Sequence, residues 1–348
     1  MRFIQRTVKR GIRSILAHRS FRVLHRFYTG IGSCLLYHRV TTESKFSKSH
    51  NPSMSITLPI TEFEQQIEHI SKNYNCVALP DAVERLAAGT LSNGTIIVTF
   101  DDGYRDNLLH ALPVLERHGV PATIFVATGL IDGTCIPWWY EQEAILKKLD
   151  AVEISWKGRS FSWKLETPAQ TFAAIRELNS LFREMCLEDQ NAFMEKVRNL
   201  SPSKFSFESE FLSWDELVEL DRHPLITIGA HTKNHPVLSR LTAEEIRDEL
   251  AGGKEILKNR LGHSVDHLAY PFGGNSEVCH REFDAAREIG FRSAFTTRFG
   301  HLHAAHRNFL HSLPRIIIDY GDTISVFKQK LAGIDSMIRH RGKRMVVD

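Results

Sequence analysis

Short apolar runs alternate with amphipathic stretches along most of the chain. The runs predict β-strands near residues 34–40, 95–100, 122–127, 225–229, 267–270, 293–297 and 314–318. The amphipathic stretches predict helices near residues 61–73, 104–118, 242–260 and 278–289. Ser213-x-x-Glu216 and Thr242-x-x-Glu245 each have the spacing of a capping box, which begins a helix. Strands that alternate with helices predict parallel strands joined by crossover helices, an α/β fold.

The alternation is interrupted between residues 134 and 212. This segment holds Pro137-Trp-Trp-Tyr140, a predicted hairpin over Val152–Lys164 that turns at Lys157-Gly158, and one or two helices up to about residue 200. We therefore expect an α+β insertion that lies over the mouth of the parallel-stranded domain.

Two groups of titratable residues follow predicted strands. The β-branched run Thr95–Phe100 ends at Asp101 and Asp102, and the run Leu225–Gly229 is followed by His231-Thr-Lys-Asn-His235. Successive side chains of an extended chain point in opposite directions, so one Asp can face a metal ion while its neighbour stays available for proton transfer. A His-x-x-x-His spacing puts both imidazoles on one side of a helical turn. Two His and one carboxylate leave coordination positions open, as in catalytic zinc sites.

Each of these patterns is weak when it is taken alone. The chain contains 18 histidines, so a chance His-x-x-x-His pair is unremarkable, and Asp-Asp-Gly is more often a turn than a catalytic pair. Their joint occurrence at the ends of two predicted strands is much harder to obtain by chance. Together they predict a metal site.

Three segments resemble the first three motifs of the polysaccharide deacetylase family, also called the chitooligosaccharide deacetylase homology domain. They are Thr99-Phe-Asp-Asp-Gly-Tyr104, His231-Thr-Lys-Asn-His235 and Tyr270-Pro-Phe-Gly273. The resemblance implies an incomplete (β/α)7-type barrel. We expect this barrel domain over residues 31–330, with the insertion at residues 134–212.

The resemblance also implies roles for residues of these motifs. Asp101 corresponds to the catalytic base of the family. Asp102, His231 and His235 correspond to the metal ligands, and the expected ion is Zn²⁺. The backbone N–H of Phe272 corresponds to a group that helps to hold the oxyanion.

Three aromatic residues are candidate substrate contacts in the same interpretation. Tyr104 ends the first motif, and Trp138 and Trp139 lie in the insertion, where they are placed to stack on a sugar ring. Aromatic residues at such spacing are also common in protein cores, and that alternative stays open.

The general acid of the family lies in a Leu-x-His motif near the C-terminus, and this chain departs from that order. At the C-terminal side Leu310 and His311 are adjacent, whereas Leu36-Tyr37-His38 keeps the spacing near the N-terminus. Some branches of the family are circularly permuted, with this strand at the front. On that basis His38 is the expected general acid. The alternative is a buried strand histidine that bonds to a backbone carbonyl.

A second departure concerns the arginine that orients the base. Ala269 stands at the position where the family has this arginine. Arg315, in the predicted strand near residues 314–318, is expected to supply the guanidinium instead. An ordinary surface ion pair is the alternative for Arg315.

The composition is that of a folded protein, with 42% hydrophobic and 24% charged residues in 348. No run approaches the roughly 18 apolar residues of a membrane-spanning helix. The five cysteines are scattered and odd in number, which favours a reducing compartment over a disulfide framework. We therefore expect a cytoplasmic protein.

The net charge of +3 conceals an asymmetry. Residues 1–42 contain nine Lys or Arg and no acid, so the other residues carry 35 basic against 41 acidic side chains. Residues 1–30 predict a basic amphipathic helix, and residues 331–348 predict a basic tail. Such a helix favours contact of residues 1–28 with the inner face of the cytoplasmic membrane, and packing on the domain is the alternative. Nucleic-acid binding is not expected, because basic residues are not interleaved with aromatic ones elsewhere.

The leading functional hypothesis is a metal-dependent N-deacetylase. Its expected substrate is an N-acetylated amino sugar of a polysaccharide or of its lipid-linked precursor. The alternatives are a sugar O-deacetylase, a cyclic-amide hydrolase on the same fold, and a non-catalytic glycan-binding module. The complete set of one Asp and two His argues against the cyclic-amide hydrolases, which have lost metal ligands.

Overall fold

The computed structural model describes residues 28–42, 55–201, 203–340 and 345. Most of the helix predicted over residues 1–30, together with its membrane contact, lies outside the described residues. So does most of the C-terminal segment 341–348.

The strands of the described residues are numbered in chain order. They are β1 (Gly32–Tyr37), β2 (Arg39–Thr41), β3 (Thr57–Pro59), β4 (Asn75–Cys76), β5 (Thr95–Phe100), β6 (Ala122–Val126), β7 (Ala151–Trp156), β8 (Arg159–Lys164), β9 (Ile226–Ala230), β10 (His267–Ala269), β11 (Ser293–Phe299) and β12 (Leu313–Ile317). Every strand predicted from the sequence is present. The predicted run at 34–40 is divided at His38 into β1 and β2.

The helices are numbered in the same way. They are α1 (Ile60–Asn73), α2 (Leu79–Ala87), α3 (Leu112–His118), α4 (Thr128–Ile131), α5 (Trp138–Leu146), α6 (Pro168–Glu184), α7 (Leu187–Arg198), α8 (Trp214–Asp221), α9 (Ala243–Leu261), α10 (His280–Glu288), α11 (Ile324–Leu331) and α12 (Ile334–Arg339). Both predicted capping boxes are present, at the starts of α8 and α9. In each, the Ser or Thr side chain accepts a hydrogen bond from the backbone N–H three residues on, and the Glu side chain accepts one from the backbone N–H of the Ser or Thr.

Within the described part of the chain, seven parallel strands close into a barrel. Their order is β1, β12, β11, β10, β9, β6 and β5, and β5 pairs again with β1. Leu35 therefore faces Val98 on one side and Ile316 on the other. The short β4 pairs with the first two residues of β5. The predicted (β/α)7-type barrel is confirmed.

The barrel strands are buried because helices cover their outer faces. Every residue of β1, β5 and β6 is buried. Strands covered on both faces read as continuous apolar runs, which is why the sequence revealed them. The largest fully buried side chain in the described residues is nevertheless polar, that of Arg315.

The helix predicted at 104–118 is divided into two parts. A π-helical turn at Asn107–Ala111 precedes α3, and the N–H of Leu112 donates to the carbonyl of Asn107, five residues back. Pro113 lies in the first turn of α3 and has no N–H to offer, so the regular ladder of hydrogen bonds cannot run through this point.

The insertion is an α+β unit, as predicted. Strands β7 and β8 form an antiparallel hairpin whose turn places Lys157 and Gly158 at positive φ, 46° and 77°. Helices α5, α6 and α7 pack with this hairpin around an apolar cluster of their own, which includes Ile154, Leu178 and Phe193.

The segment after residue 330 begins as folded structure. Helix α12 lies within the predicted basic tail, and its first residue, Ile334, is 2% exposed. Every helix in the described part of the chain is too short or too polar to traverse a bilayer.

Candidate active site and metal centre

A cavity of about 710 Å³ lies at the C-terminal ends of the barrel strands. Successive strands deliver its polar walls: His38 follows β1, Asp101 and Asp102 follow β5, His231 and His235 follow β9, Phe272 follows β10, and Asp319 follows β12. This is the end at which parallel barrels build their sites, since the connecting loops there are free to vary. The predicted base, metal ligands, general acid and oxyanion group therefore meet in one cavity.

Asp102, His231 and His235 form the only group of three or more potential metal ligands among the described residues. All three are buried, and their ligand atoms lie within 4.8 Å of one another. Asp102 Oδ1 is 3.3 Å from His231 Nε2 and 3.1 Å from His235 Nε2. The two neighbouring imidazoles hold the pKa of Asp102 well below its usual range although burial opposes this, so the carboxylate is ionised.

The hydrogen bonds around this group fit a divalent cation. His231 Nδ1 lies 2.7 Å from the carbonyl oxygen of Ala269, which only accepts, so Nδ1 carries a proton. Nε2 therefore faces Asp102 with a lone pair or an exchangeable proton, which is how a histidine ligand is oriented for a metal. Asp102 Oδ1 is buried and has no hydrogen-bond partner within the described residues. A cation bound between His231 Nε2 and Asp102 Oδ1 would give each of these two atoms an interaction partner.

Four of the five non-glycine residues with positive φ in the described part of the chain lie at this site. They are Asp102 (φ 76°), Thr232 (φ 67°), His235 (φ 54°) and Phe272 (φ 59°). Such backbone conformations are costly for residues with a Cβ and persist only where surrounding contacts impose them. Two of the three predicted metal ligands, Asp102 and His235, thus have a backbone conformation that surrounding contacts must impose.

The prediction of a helical turn for the His-x-x-x-His segment is wrong. Residues 231–235 form a loop, because Thr232 and His235 adopt left-handed conformations. Glu249 of α9 imposes this shape: its Oε2 accepts from the backbone N–H of Lys233 and Asn234 at 3.1 and 2.8 Å. Gly253, one turn further along α9, makes room for the loop, since a Cβ there would lie 2.7 Å from the carbonyl carbon of Thr232.

Asp101 is paired with Arg315 as the sequence predicted. The two guanidinium NH2 groups each donate to one carboxylate oxygen at 2.7 Å, and Arg315 Nε donates to the carbonyl of Thr296 at 3.0 Å. Burial would raise the pKa of Asp101, but Arg315 and His231 together bring it below its usual value. Arg315 is fully buried, which excludes the alternative of a surface ion pair.

His38 lies at the edge of the cavity, directly after β1. Its Nδ1 is buried and has no hydrogen-bond partner in the described ranges, so no backbone carbonyl accepts from this nitrogen. Two hydrogen bonds hold the backbone at this position. The carbonyl of His38 accepts from Asn107 Nδ2 at 2.8 Å, and the next residue, Arg39, donates to Asp106 at 2.7 Å.

Phe272 lines the cavity. Its carbonyl accepts a hydrogen bond from the Thr297 hydroxyl. Its N–H donates to no acceptor within the described residues, which leaves this N–H available. The Phe272 ring lies 4.9 Å from the ring of His235, measured between centroids.

The three aromatic candidates are placed differently. Trp138 and Trp139 both line the cavity, and Trp139 lies 5.0 Å from the ring of His235. Tyr104 does not line it, because its side chain is fully buried beneath the site. The Tyr104 ring stacks on Phe211 at 5.0 Å, and Arg39 lies over it.

Some cavity residues were not singled out from the sequence. Asp319 lies beyond the end of β12, where burial raises its pKa while Lys330 acts in the opposite direction. Its position directly after the predicted strand that contains Arg315 could have identified it from the sequence. Arg176 and Arg183 of α6 also line the cavity, and no local motif marked them.

Comparisons with known proteins agree with this geometry. The family model described as polysaccharide deacetylase matches residues 88–294. The chain is similar to the putative polysaccharide deacetylase YxkH of Bacillus subtilis (strain 168), with 22% identity over 296 residues that cover 84% of this chain and 73% of YxkH.

Two solved structures share the fold. One is the deacetylase PplD of Streptococcus pyogenes, with a TM-score of 0.57 and 17% identity, covering 86% of this chain and 97% of PplD. The other is IcaB of Ammonifex degensii, with a TM-score of 0.55 and 20% identity, covering 87% of this chain and 97% of IcaB.

Proposed function

Since the chain belongs to the polysaccharide deacetylase family, we propose that it is a metal-dependent N-deacetylase of an N-acetylated amino sugar. One observation carries this proposal. A buried group of one carboxylate and two imidazoles adjoins a second carboxylate that is held by a buried arginine, and both open into one cavity. A hydrolysis that needs a cation and a separate base requires these parts side by side.

The residues present suit Zn²⁺, which favours two imidazoles and a carboxylate with open positions for water and substrate. When bound, such an ion lowers the pKa of water and polarises an amide carbonyl. Asp101 is not part of the ligand group, and Arg315 and His231 lower its pKa against the effect of burial, so it is the proposed acceptor of the proton from water. Arg315 keeps both oxygens of Asp101 in one orientation.

Two other groups of the chain complete the reaction. The N–H of Phe272 is the proposed donor to the oxyanion as the acetyl carbon becomes tetrahedral. His38 is the proposed general acid, which gives a proton to the nitrogen of the leaving amine. An amine anion is a very poor leaving group, so this proton transfer is worth roughly 10²–10⁴ in rate.

The cavity suits a sugar ring. Trp138 and Trp139 offer aromatic surface beside the metal ligands, and aromatic faces pack well against the apolar faces of sugar rings. We propose a polysaccharide or its lipid-linked precursor as the substrate. We also propose that residues 1–28 bring the enzyme to the inner face of the cytoplasmic membrane, because this segment contains eight Lys or Arg and no acid.

The test is acetate release from a panel of acetylated sugars by zinc-loaded protein. The panel contains chitooligosaccharides, lipid-linked N-acetylglucosamine and an O-acetylated sugar. We expect the wild type to release acetate from an N-acetylated member, and Asp101→Asn to lose at least a hundredfold in kcat. The matched control is Asp284→Asn, which changes an exposed carboxylate on α10 and is expected to leave the rate unchanged.

The outcomes separate the alternatives. Release from the O-acetylated sugar alone would identify an O-deacetylase. Glycan binding without any release, in protein that binds zinc stoichiometrically, would identify a binding module. Protein that binds no divalent cation with wild-type residues at 102, 231 and 235 would contradict the proposal.

A further inference from the structure

Helix α6 of the insertion turns a polar stripe toward the cavity. The stripe consists of the residues of α6 that line the cavity: Phe172, Arg176, Asn179, Ser180 and Arg183. Their spacing places them on one helix face. The opposite face, which includes Ile175, Leu178 and Phe182, is buried in the core of the insertion. The orientation of α6 is therefore fixed, and the helix face that carries the two arginines is held toward the cavity.

Neither arginine of this stripe has an acidic partner. Within the described ranges no carboxylate oxygen lies within 4.0 Å of the nitrogen atoms of Arg176 or Arg183. Arg183 Nε makes a long contact of 3.4 Å with the carbonyl of Asn179, and Arg176 lies over the ring of Phe172.

Some cations of the insertion are paired and others are not. Lys147 bonds to Glu143, Lys157 to Asp189 and Arg198 to Glu141, at 2.5, 2.6 and 2.8 Å, whereas Arg159 and Lys196 have no carboxylate partner within the described residues. Arg176 and Arg183 differ from the other unpaired cations because they line the cavity. Their two guanidinium groups are left to be neutralised by a ligand that enters the cavity.

Arg183 lies close to the metal ligands. Its Cζ is 5.9 Å from the centroid of the Phe272 ring, and that ring is 4.9 Å from the ring of His235. One aromatic ring therefore separates the guanidinium of Arg183 from a metal ligand. Beyond Arg183 an adjoining groove of about 470 Å³ continues between Ser180 and Arg240.

The acidic residues nearby do not cancel this charge. Asp319 lines the same cavity, but its electrostatic neighbours are Lys330, Asp322 and His38. Glu184 and Glu277 line the outer groove together with Arg183 and Arg240, and neither forms an ion pair with them within the described residues.

We propose that Arg176 and Arg183 bind a phosphoryl group of the substrate, so that the preferred substrate is an N-acetylated amino sugar with a phosphate or diphosphate at its anomeric carbon. This inference rests on the proposed deacetylase function. In a 2-acetamido sugar the anomeric carbon is bonded to the carbon that bears the acetamide. A phosphoryl group there lies beside the amide to be cleaved, which matches the single ring between Arg183 and His235.

The chemistry of the two side chains favours this ligand. Guanidinium groups offer planar pairs of N–H donors that match the oxygens of phosphate. The groove beyond Arg183 leaves room for the group on the far side of the phosphate, which is a nucleoside or a polyprenyl chain.

The first test compares charged and neutral substrates. The probes are N-acetylglucosamine 1-phosphate and methyl N-acetylglucosaminide, and the proteins are the wild type, Arg176→Gln, Arg183→Gln and the double variant. We expect kcat/KM for the phosphate to fall roughly tenfold for each arginine, and the loss on the neutral glycoside to be much smaller. Arg183→Lys keeps the positive charge but lacks the planar pair of N–H donors. Its kcat/KM for the phosphate is expected to lie between those of the wild type and Arg183→Gln.

The matched control is Arg159→Gln, which removes an exposed positive charge from the same insertion at the start of β8. It is expected to leave both substrates unaffected. Equal losses on the charged and neutral substrates in Arg176→Gln and Arg183→Gln would overturn the inference while the deacetylase function stands.

A binding measurement separates failure of this inference from failure of the proposed function. Calorimetry of N-acetylglucosamine 1-phosphate is made in Asp101→Asn protein, with and without the two arginine changes. We expect the arginine changes to weaken binding roughly a hundredfold together. Unchanged affinity would overturn the inference whether or not any acetate is released.

The source of the phosphoryl group is tested with two further substrates. UDP-N-acetylglucosamine and undecaprenyl-diphosphate-linked N-acetylglucosamine share the anomeric phosphoryl group. Preference for either, with the same dependence on Arg176 and Arg183, supports the inference and identifies a nucleotide-linked or a lipid-linked substrate. Preference for neutral chitooligosaccharides over both would contradict it.

Discussion

In the barrel, charged side chains at the cavity are paired with other protein groups. In the insertion, the charged side chains at the cavity have no such partner and are available to a ligand. Asp101 and Arg315 are both buried and share two hydrogen bonds of 2.7 Å. Arg176 and Arg183 face the same cavity without a carboxylate partner in the described residues. A group that moves a proton must be oriented before the substrate arrives. A group that recognises charge needs no partner beforehand, because the ligand supplies one.

The backbones of the two regions differ in the same way. The barrel places its site residues on loops with positive φ, at Asp102, Thr232, His235 and Phe272. The insertion presents its arginines from the regular helix α6. Strain is therefore concentrated where the chemistry is proposed, and the recognition surface is built from ordinary helix. Five single substitutions and one double variant test this contrast.

The largest effect is expected for Arg315→Met. It leaves the charge of Asp101 buried without its partner, which costs about 3–5 kcal/mol of unfolding free energy. It also frees the proposed base, so kcat should fall at least a hundredfold. Urea denaturation at fixed zinc concentration and acetate-release kinetics measure the two effects.

The comparison variant is Arg183→Met in the insertion. Because Arg183 has no carboxylate partner, its removal should change the unfolding free energy by no more than about 0.5 kcal/mol. Similar losses of stability in the two variants would contradict the contrast between the regions.

The next largest effect is expected for Gly229→Ala in β9. A Cβ at this position would lie 2.3 Å from Cδ1 of Phe125, in the neighbouring strand β6. Phe125 in turn lies under the guanidinium of Arg315. We expect a loss of about 1–3 kcal/mol, measured by urea denaturation. Gly229→Ala combined with Phe125→Leu should recover part of this loss, and no recovery would show that the clash is not the cause.

Acid should destabilise the barrel through His301. Burial, and then His303, lower the pKa of His301 from 6.5 to about 3. The folded protein therefore binds fewer protons than the unfolded chain below pH 6.5, so this stability is complete above pH 6.5 and is lost as the pH falls. At pH 5 the loss should be about 2 kcal/mol.

His301→Gln is expected to flatten the dependence of unfolding free energy on pH between 7 and 5. The insertion, residues 134–212, contains no histidine, so it adds no comparable dependence. A pH dependence that is equally steep in the variant would show that other groups of the barrel, such as His267 with a pKa of about 4, account for it.

A small effect is expected for Gly158→Ala, at the tip of the β7–β8 hairpin. No atom lies within 4 Å of the added Cβ, but Gly158 has a φ of 77°. Only the backbone strain remains, which costs about 1 kcal/mol. Thermal denaturation should show this small loss, while kcat and KM stay at the wild-type values. A change in KM would show that the hairpin tip communicates with the cavity.

The sequence predicted the barrel strands and the site residues that follow them for one physical reason. Parallel strands buried on both faces have continuous apolar runs, so their ends are visible, and the polar residues just beyond those ends lie at the same edge of the barrel. This placed Asp101, Asp102 and His231 correctly. Arg315 does not follow from this reason, because it lies within β12; it was expected from its position in a predicted strand.

What the sequence did not reveal depends on contacts between distant segments. Nothing in His231–His235 requires a left-handed backbone, which Glu249 imposes from α9. Tyr104 reads as a site residue until Phe211 covers it. The arginines of α6 become notable only when the fold places them on the wall of the cavity without a carboxylate partner in the described residues.

The position of β1 also has a consequence for the order in which the protein is made. Leu35 can pair with Val98 soon after synthesis begins, but its second partner, Ile316, is among the last barrel residues to leave the ribosome. At ordinary rates of translation this interval is on the order of ten seconds or more, during which one edge of β1 stays unpaired. His38 lies at the end of that strand. A nascent chain can therefore contain every proposed metal ligand and still lack a closed barrel wall behind His38, the proposed proton donor.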